Sequence, residues 1–238
     1  MSHQFPKTIL FDMDDTILVY DAISQQIWQQ VCRDFAPRII GLAVEDLLAS
    51  VREVSTWFWG DLERHRRGRL DLEAARQEIV TTAFSRLEID APQVAQEMAD
   101  TYSRIRQEAV EPIPGAVDTL RHLRGQGIKL GLVTNGEAHI QRAKIERFQL
   151  EPWFEYILIE GEFGVGKPHE KVYRQVLAQL DARPADTWMV GDNLHFDVGG
   201  SQALGIYGVW VDWEQKGVPE NSEVKPDRIV QSIAELMS

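Results

Sequence analysis

The sequence predicts an α/β fold: a parallel sheet with helices on both faces, interrupted by an all-helical insertion. Three observations carry this. A short apolar run near the start, Thr8-Ile9-Leu10-Phe11, breaks abruptly into Asp12-Met13-Asp14-Asp15-Thr16, the pattern of a buried strand that ends at a site. From Ile17 to Glu111 the apolar spacing is helical, with no convincing strand. After Pro112 helices and strands alternate, which implies right-handed crossovers within a parallel sheet. The expected division is therefore residues 1–16 with 112–238 as an α/β core and residues 17–111 as a helical cap.

The elements follow in order. Asp12 and Asp14 lie two residues apart, so an extended segment would put both on one face, whereas a turn would let a backbone carbonyl join them. Grouped carboxylates repel without a cation, and hard oxygen donors of this kind suit Mg²⁺. An acidic helix cap or turn after the strand is the alternative. In the insertion, Ile23, Ile27 and Val31, then Leu47, Val51 and Val54, then Val94, Met98 and Tyr102 recur at helical spacing. Breaks near Pro37 to Gly41, Gly60 to Gly68 and Asp90 to Pro92 divide it into about four helices. This insertion holds many arginines and no lysine. Arg64-His65-Arg66-Arg67-Gly68-Arg69 follows an aromatic cluster at Trp57, Phe58 and Trp59. It reads either as a solvated loop after a core-packed helix end, or as a recognition edge. In the second reading Trp57 and Trp59 meet a planar or apolar group while Arg64 and Arg66 meet an anion.

Beyond Pro112-Ile113-Pro114-Gly115, helices are expected over 116–125, 138–148 and 170–180, with a terminal helix from Ser232. Strands are expected over 128–133, 156–159, 188–190, 206–211 and 228–230. Three strands finish in polar groups: Asp12/Asp14/Thr16, Thr134/Asn135, and Asp192 with Asp197. In a parallel sheet these ends share one edge, where ligands bind. Lys167, in the glycine-flanked loop Gly164-Val165-Gly166-Lys167-Pro168, is expected to reach the same edge.

Composition narrows the class further. A chain of 238 residues buries a full core. Its net charge of −12 argues against general affinity for nucleic acid or anionic membrane, both of which need a basic surface. A small diffusible substrate fits better. Cys32 is the single cysteine, which rules out an intrachain disulfide. With no secretory pattern at the start and no apolar stretch approaching the roughly 20 residues that cross a bilayer, a cytoplasmic protein is expected. Whether it is a monomer or a homodimer is left open.

The four pieces, Asp12-Met13-Asp14-Asp15-Thr16, Thr134, Lys167 and Gly191-Asp192-Asn193-Leu194-His195-Phe196-Asp197, resemble in kind and order the motifs of the haloacid dehalogenase superfamily. The helical insertion falls where one class of these enzymes carries a helical cap. The resemblance implies a Rossmann-like core and a Mg²⁺-dependent phosphomonoesterase acting on a small organic phosphate, such as a nucleotide, a sugar phosphate or phosphoglycolate. Asp12 is then the nucleophile, forming an aspartyl-phosphate, and Asp14 the general acid and base. The metal falls to Asp12, the main-chain carbonyl of Asp14, and Asp192. The phosphate falls to Thr134, the Asn135 amide and Lys167, with Thr16 and Asp197 in support. An acidic residue at position 14 favours an oxygen leaving group over a halide. A phosphomutase of the same fold, and a catalytically silent regulatory binding protein, are the alternatives.

Overall fold

The computed structural model describes residues 6–237. The chain divides into two compact units, one of residues up to Val19 together with Glu111 onward, the other Tyr20–Val110.

The first unit is built on a six-stranded sheet. Its strands are β1 (Thr8–Phe11), β4 (Lys129–Thr134), β5 (Tyr156–Ile159), β6 (Thr187–Gly191), β7 (Tyr207–Val211) and β8 (Arg228–Val230), in the order β5-β4-β1-β6-β7-β8. Every pairing is parallel. β1 is buried along its whole length, as expected of a central strand covered on both faces. Its neighbours are aligned so that Leu10 faces Gly131 on one side and Met189 on the other. A Cβ at position 131 would stand 2.9 Å from the Leu10 side chain and 3.0 Å from that of Leu180. Glycine there lets the helix that ends near Leu180 pack closely on the sheet. That helix, Glu170–Gln179, buries Val172, Tyr173 and Val176 against Leu10, Val133 and Met189. The expected terminal helix is a short tight turn of helix over Ile233–Met237.

A second, two-stranded ribbon occupies the places where the chain leaves and re-enters this unit. β2 (Leu18–Val19) pairs antiparallel with β3 (Glu111–Pro112). Before reaching it the chain makes a tight loop in which the amides of Ile17 and Leu18 both donate to the Met13 carbonyl at 2.9 Å. The ribbon explains why the compact core extends through Val19, where sequence periodicity places the boundary at Thr16.

The second unit holds five helices among the described residues: α1 (Ser24–Phe35), α2 (Val44–Trp59), α3 (Leu62–Arg69), α4 (Leu72–Arg86) and α5 (Pro92–Ala109). Its core gathers Val31, Val51 and Met98, which helical spacing places on inward stripes, together with Phe58, Ile79 and Val80. The arginine-rich stretch, one reading of which is a solvated loop, is instead α3. The Asp61 side chain accepts a hydrogen bond from the Arg64 amide at 2.9 Å and Asp71 accepts one from Ala74 at 3.0 Å, so each aspartate caps a helix start. These two caps divide what spacing alone reads as about four helices into five. Among the described residues no helix is long and apolar enough to cross a membrane.

Candidate active site

The β1 chain end sets the geometry. The Asp12 amide continues the ladder by donating to the Val190 carbonyl at 2.9 Å, which fixes the residue beyond the last strand position beside β6. The turn that follows needs a left-handed residue, and Asp15 takes it with φ of 55°, a conformation aspartate tolerates better than most. Its amide donates to Leu18 at 2.6 Å. Asp15 is buried. Thr16 is fully buried behind this loop and its hydroxyl has no hydrogen-bond partner.

Asp12, Asp192 and Asp197 come together, each presenting a carboxylate oxygen within 4.8 Å of the others. Lys167, itself buried, pairs with Asp12 at 2.5 Å and with Asp197 at 2.6 Å. One ammonium thus pairs with two of three clustered carboxylates. The consequence is electrostatic. Burial, outweighing the pull of Lys167, pushes the Asp12 carboxyl up to about 7. Burial and then the charges of Asp12 and Asp197 raise Asp192 well above the usual carboxylate range. Burial works against the charge on Lys167, but Asp12 and Asp197 more than offset it, and its affinity for the proton rises. Surplus carboxylates in a buried cluster are a donor set that fits a hard divalent cation.

Local structure fixes each member of the cluster. Asn193 starts the turn Leu194–Gly199 by accepting from the amides of His195 at 3.0 Å and Phe196 at 2.9 Å, and this swings Asp197 back so that it accepts from the Asn193 amide at 2.9 Å. Gly191 is required because a Cβ there would enter the Asp197 carboxylate. The Asp192 carbonyl accepts from the Trp210 indole at 2.7 Å. Lys167 is held through its backbone, whose amide donates to Asn135 Oδ1 at 2.7 Å while its carbonyl accepts from Asn135 Nδ2 at 2.9 Å. Asn135 therefore couples the end of β4 to the lysine loop. Its side chain is occupied in doing so.

Asp14 stands apart from that cluster. Both its oxygens accept from Lys144 Nζ at 2.8 Å, and Oδ2 also accepts from Gln141 Nε2 at 3.1 Å. Gln141 donates in addition to Thr134 Oγ1 at 2.6 Å and to the Asn135 carbonyl at 2.9 Å. Gln141 and Lys144 project from the helix Ala138–Arg147 and both are buried. Sequence reasoning missed them. Their spacing of three residues on a helix that opens just after Thr134-Asn135-Gly136 was the available signal, since such pairs share a face. Glu160 was missed too; buried, it accepts from the Gly136 amide at 3.0 Å and braces the loop after Thr134.

In the helical unit, two of the four residues proposed from sequence meet and the other two stand apart from them. Arg64 lies over the Trp57 ring, 3.9 Å from its centroid, and donates to the Trp57 carbonyl at 2.8 Å. Arg66 is exposed and lies 3.5 Å from Glu63. Trp59 is half-buried, edge-on to Phe58 and His65, and lines a cavity with Arg52, Arg76 and Arg106. Neither Trp57, Arg64 nor Arg66 lines that cavity.

The chain is 31% identical to a phosphoserine phosphatase of Thermus thermophilus over 97% of both chains. It is 27% identical to the pyrimidine 5'-nucleotidase YjjG of Escherichia coli, over 96% of this chain and 95% of that one. Among solved structures, YfnB of Bacillus subtilis bound to magnesium superimposes with a TM-score of 0.76 at 25% identity, covering 98% of this chain and 97% of the other. The sequence profile of the haloacid dehalogenase-like hydrolases matches residues 6–205. With that match spanning most of the chain, and with the four motifs meeting at one edge of a parallel sheet, the chain belongs to the haloacid dehalogenase-like hydrolases.

Proposed function

We propose that this hydrolase is a Mg²⁺-dependent phosphomonoesterase for a small organic phosphate and works through an aspartyl-phosphate on Asp12. The observation that carries the proposal is the cluster of Asp12, Asp192 and Asp197, two of them paired with the buried Lys167, with Asp14 nearby in sequence but held by a different lysine. Two acidic residues in one loop have thereby been given different partners, which is what separate nucleophilic and proton-transfer roles require.

Asp12, the Asp14 carbonyl and Asp192 would hold the cation, with Asp197 beside them. When bound, it neutralises the phosphate's charge and so eases approach of a carboxylate nucleophile.

This chain's own groups account for the rest. Lys167 takes one oxygen of Asp12, so the other attacks phosphorus while the bond from phosphorus to the ester oxygen breaks. Asp14 gives a proton to the departing alkoxide, which leaves as an alcohol. In the second step water attacks phosphorus, Asp14 takes the water's proton, and the bond to Asp12 breaks to regenerate its carboxylate. The Thr134 hydroxyl, the Asn135 amide and the Lys167 ammonium bind the nonbridging oxygens. Thr16 supports the loop. Residues 17–111 serve as the cap that selects the alcohol portion, because the core groups are committed to phosphate and proton transfer. Nucleotides, sugar phosphates and phosphoglycolate are the candidate classes, and the names of the relatives, phosphoserine phosphatase and pyrimidine nucleotidase, fall within small organic phosphates.

Phosphate release from such esters, measured with Mg²⁺, with EDTA and in Asp12→Asn protein, tests the reading. Loss of about a thousandfold or more is expected from either change, within the range that nucleophile and electrostatic terms supply. Turnover that survives both would overturn it.

A further inference from the structure

The helical unit holds a partly open cavity of about 90 Å³ whose lining includes Arg52, Arg76, Arg106, Trp28, Trp59 and Tyr102. No aspartate or glutamate lines it. Arg76 is only 4% exposed, and the neutral hydroxyl of Tyr20, at 3.2 Å, is its hydrogen-bond partner. It lies 5.5 Å from the centroid of the Tyr102 ring and forms no ion pair among the described residues. Arg106 is buried as well. It donates to the Tyr102 hydroxyl at 2.9 Å and pairs with Asp21, an aspartate whose side chain is largely exposed. Its Nε has no partner, and neither has the buried Ser55 hydroxyl on the same cavity wall.

This arrangement is costly for a folded protein. A guanidinium stays protonated, and a buried charge without a counter-charge is among the least favourable arrangements in a protein interior. Stacked aromatic rings recover part of the loss through their electron-rich faces; Trp28 and Tyr102 lie parallel with centroids 3.6 Å apart. They do not supply a negative charge. Two buried forks, unpaired donors and a polar void between them make a complementary mould for an oxyanion, since guanidinium matches carboxylate and phosphate oxygens in pairs. The cavity has room for about three waters' share of liquid volume, enough for a compact carboxylate or phosphate group and little more.

We infer that residues 20–110 contain an anion-binding pocket, built on Arg76 and Arg106 and walled by Trp28, Trp59 and Tyr102, that takes the carboxylate or phosphate group of a small molecule. The pocket is independent of the phosphoryl-transfer reading, because its binding is measured without turnover. The anion has two possible sources: a second charged group on the substrate, or a separate effector.

The test uses the full chain, with malonate and inorganic phosphate as probes and sodium chloride at equal ionic strength as control. Thermal unfolding and the fluorescence of the tryptophans are the readouts. Malonate is expected to raise the unfolding midpoint of the wild type in a saturable way and to change its fluorescence. In Arg76→Met the response should vanish, while the midpoint without anion should stay level or rise, because an unpaired buried charge has been removed. In Arg76→Lys, which keeps the charge and loses the fork, affinity should fall about tenfold or more. Lys167→Met, which alters the core site alone, should retain the malonate response. No stabilisation of the wild type beyond the chloride control by either probe would overturn the inference. So would an Arg76→Met protein that unfolds earlier than wild type and still responds to malonate. To separate the sources, KM is compared for phosphoglycolate and phenyl phosphate. A rise in Arg76→Met confined to phosphoglycolate assigns the pocket to the substrate's carboxylate. Unchanged KM values with malonate binding intact in wild type assign it to a separate ligand.

Discussion

The site depends on giving similar side chains different neighbours. Asp12 and Asp14 are two positions apart, yet one pairs with Lys167 and the other with Lys144. Removing the Lys144 charge should therefore affect the step that needs Asp14 more than the step that needs Asp12. In Lys144→Met, turnover of alkyl phosphates, whose alkoxide must be protonated on leaving, should fall about ten- to a hundredfold, a part of what general acid catalysis supplies. Turnover of a dinitrophenyl phosphate, whose phenolate leaves unaided, should fall much less. Equal losses on both substrates would mean that Lys144 only supports the fold. The carboxylate cluster makes a second prediction. Burial raises the folded-state values of Asp12, to about 7, and of Asp192 above their ordinary ones. Groups shifted upward favour the folded state with their protons on. The stability they contribute is complete below the ordinary carboxyl value of about 3.9 and is lost as pH rises through about 7. In EDTA, the unfolding midpoint of wild type should thus drop relative to that of Asp192→Asn between about pH 5 and about pH 8. Mg²⁺ should close the gap by stabilising wild type alone. A difference that does not change with pH would contradict this account of the cluster.

At the scale of elements, the strand ends were legible because an apolar run that stops at Asp12, Thr134 or Asp192 carries both its burial and its exit point in the local sequence. Lys144 and Gln141 were not legible in the same way. Lys144 meets Asp14 across 130 positions, and only the crossover from β4 into the helix Ala138–Arg147 brings them together. The hidden arginines of the helical unit illustrate the opposite error. Arg76 and Arg106 fall on the inward stripes of α4 and α5, but their charge leads a hydropathy reading to assign them to solvent, whereas Arg64 and Arg66 drew attention through their density. The helix α3 was obscured by its charge and by Gly68, which reads as a breaker. In the fold Gly68 is a packing residue, since a Cβ there would press on the Phe58 ring and stand 3.1 Å from the Ala75 Cβ. Gly68→Ala should cost about 1–3 kcal/mol by overpacking. An unfolding curve that matches wild type would show that α3 shifts freely on α2 and α4.

For the whole molecule, two compact units are joined by two chain passages that pair as the β2–β3 ribbon. The six strands of the α/β core were readable because strand and helix alternate in it. The ribbon, only two residues on each side, lies below the length at which alternation can be recognised. The division of labour proposed for the units places bond breaking in the core and substrate choice in residues 17–111. Substitution at Trp59 should accordingly change the ranking of substrates by kcat/KM, while Asp12→Asn should abolish turnover of all of them alike.

The stereochemistry at phosphorus tests for a covalent intermediate on Asp12 without requiring that intermediate to accumulate. A phosphorothioate monoester made chiral at phosphorus with one oxygen isotope is hydrolysed by the Mg²⁺-loaded wild type in water carrying a third oxygen isotope, and the configuration of the released chiral thiophosphate is determined. Two successive in-line displacements, first by Asp12 and then by water, predict overall retention. Overall inversion would mean a single direct attack by water, and would remove Asp12 from the role of nucleophile.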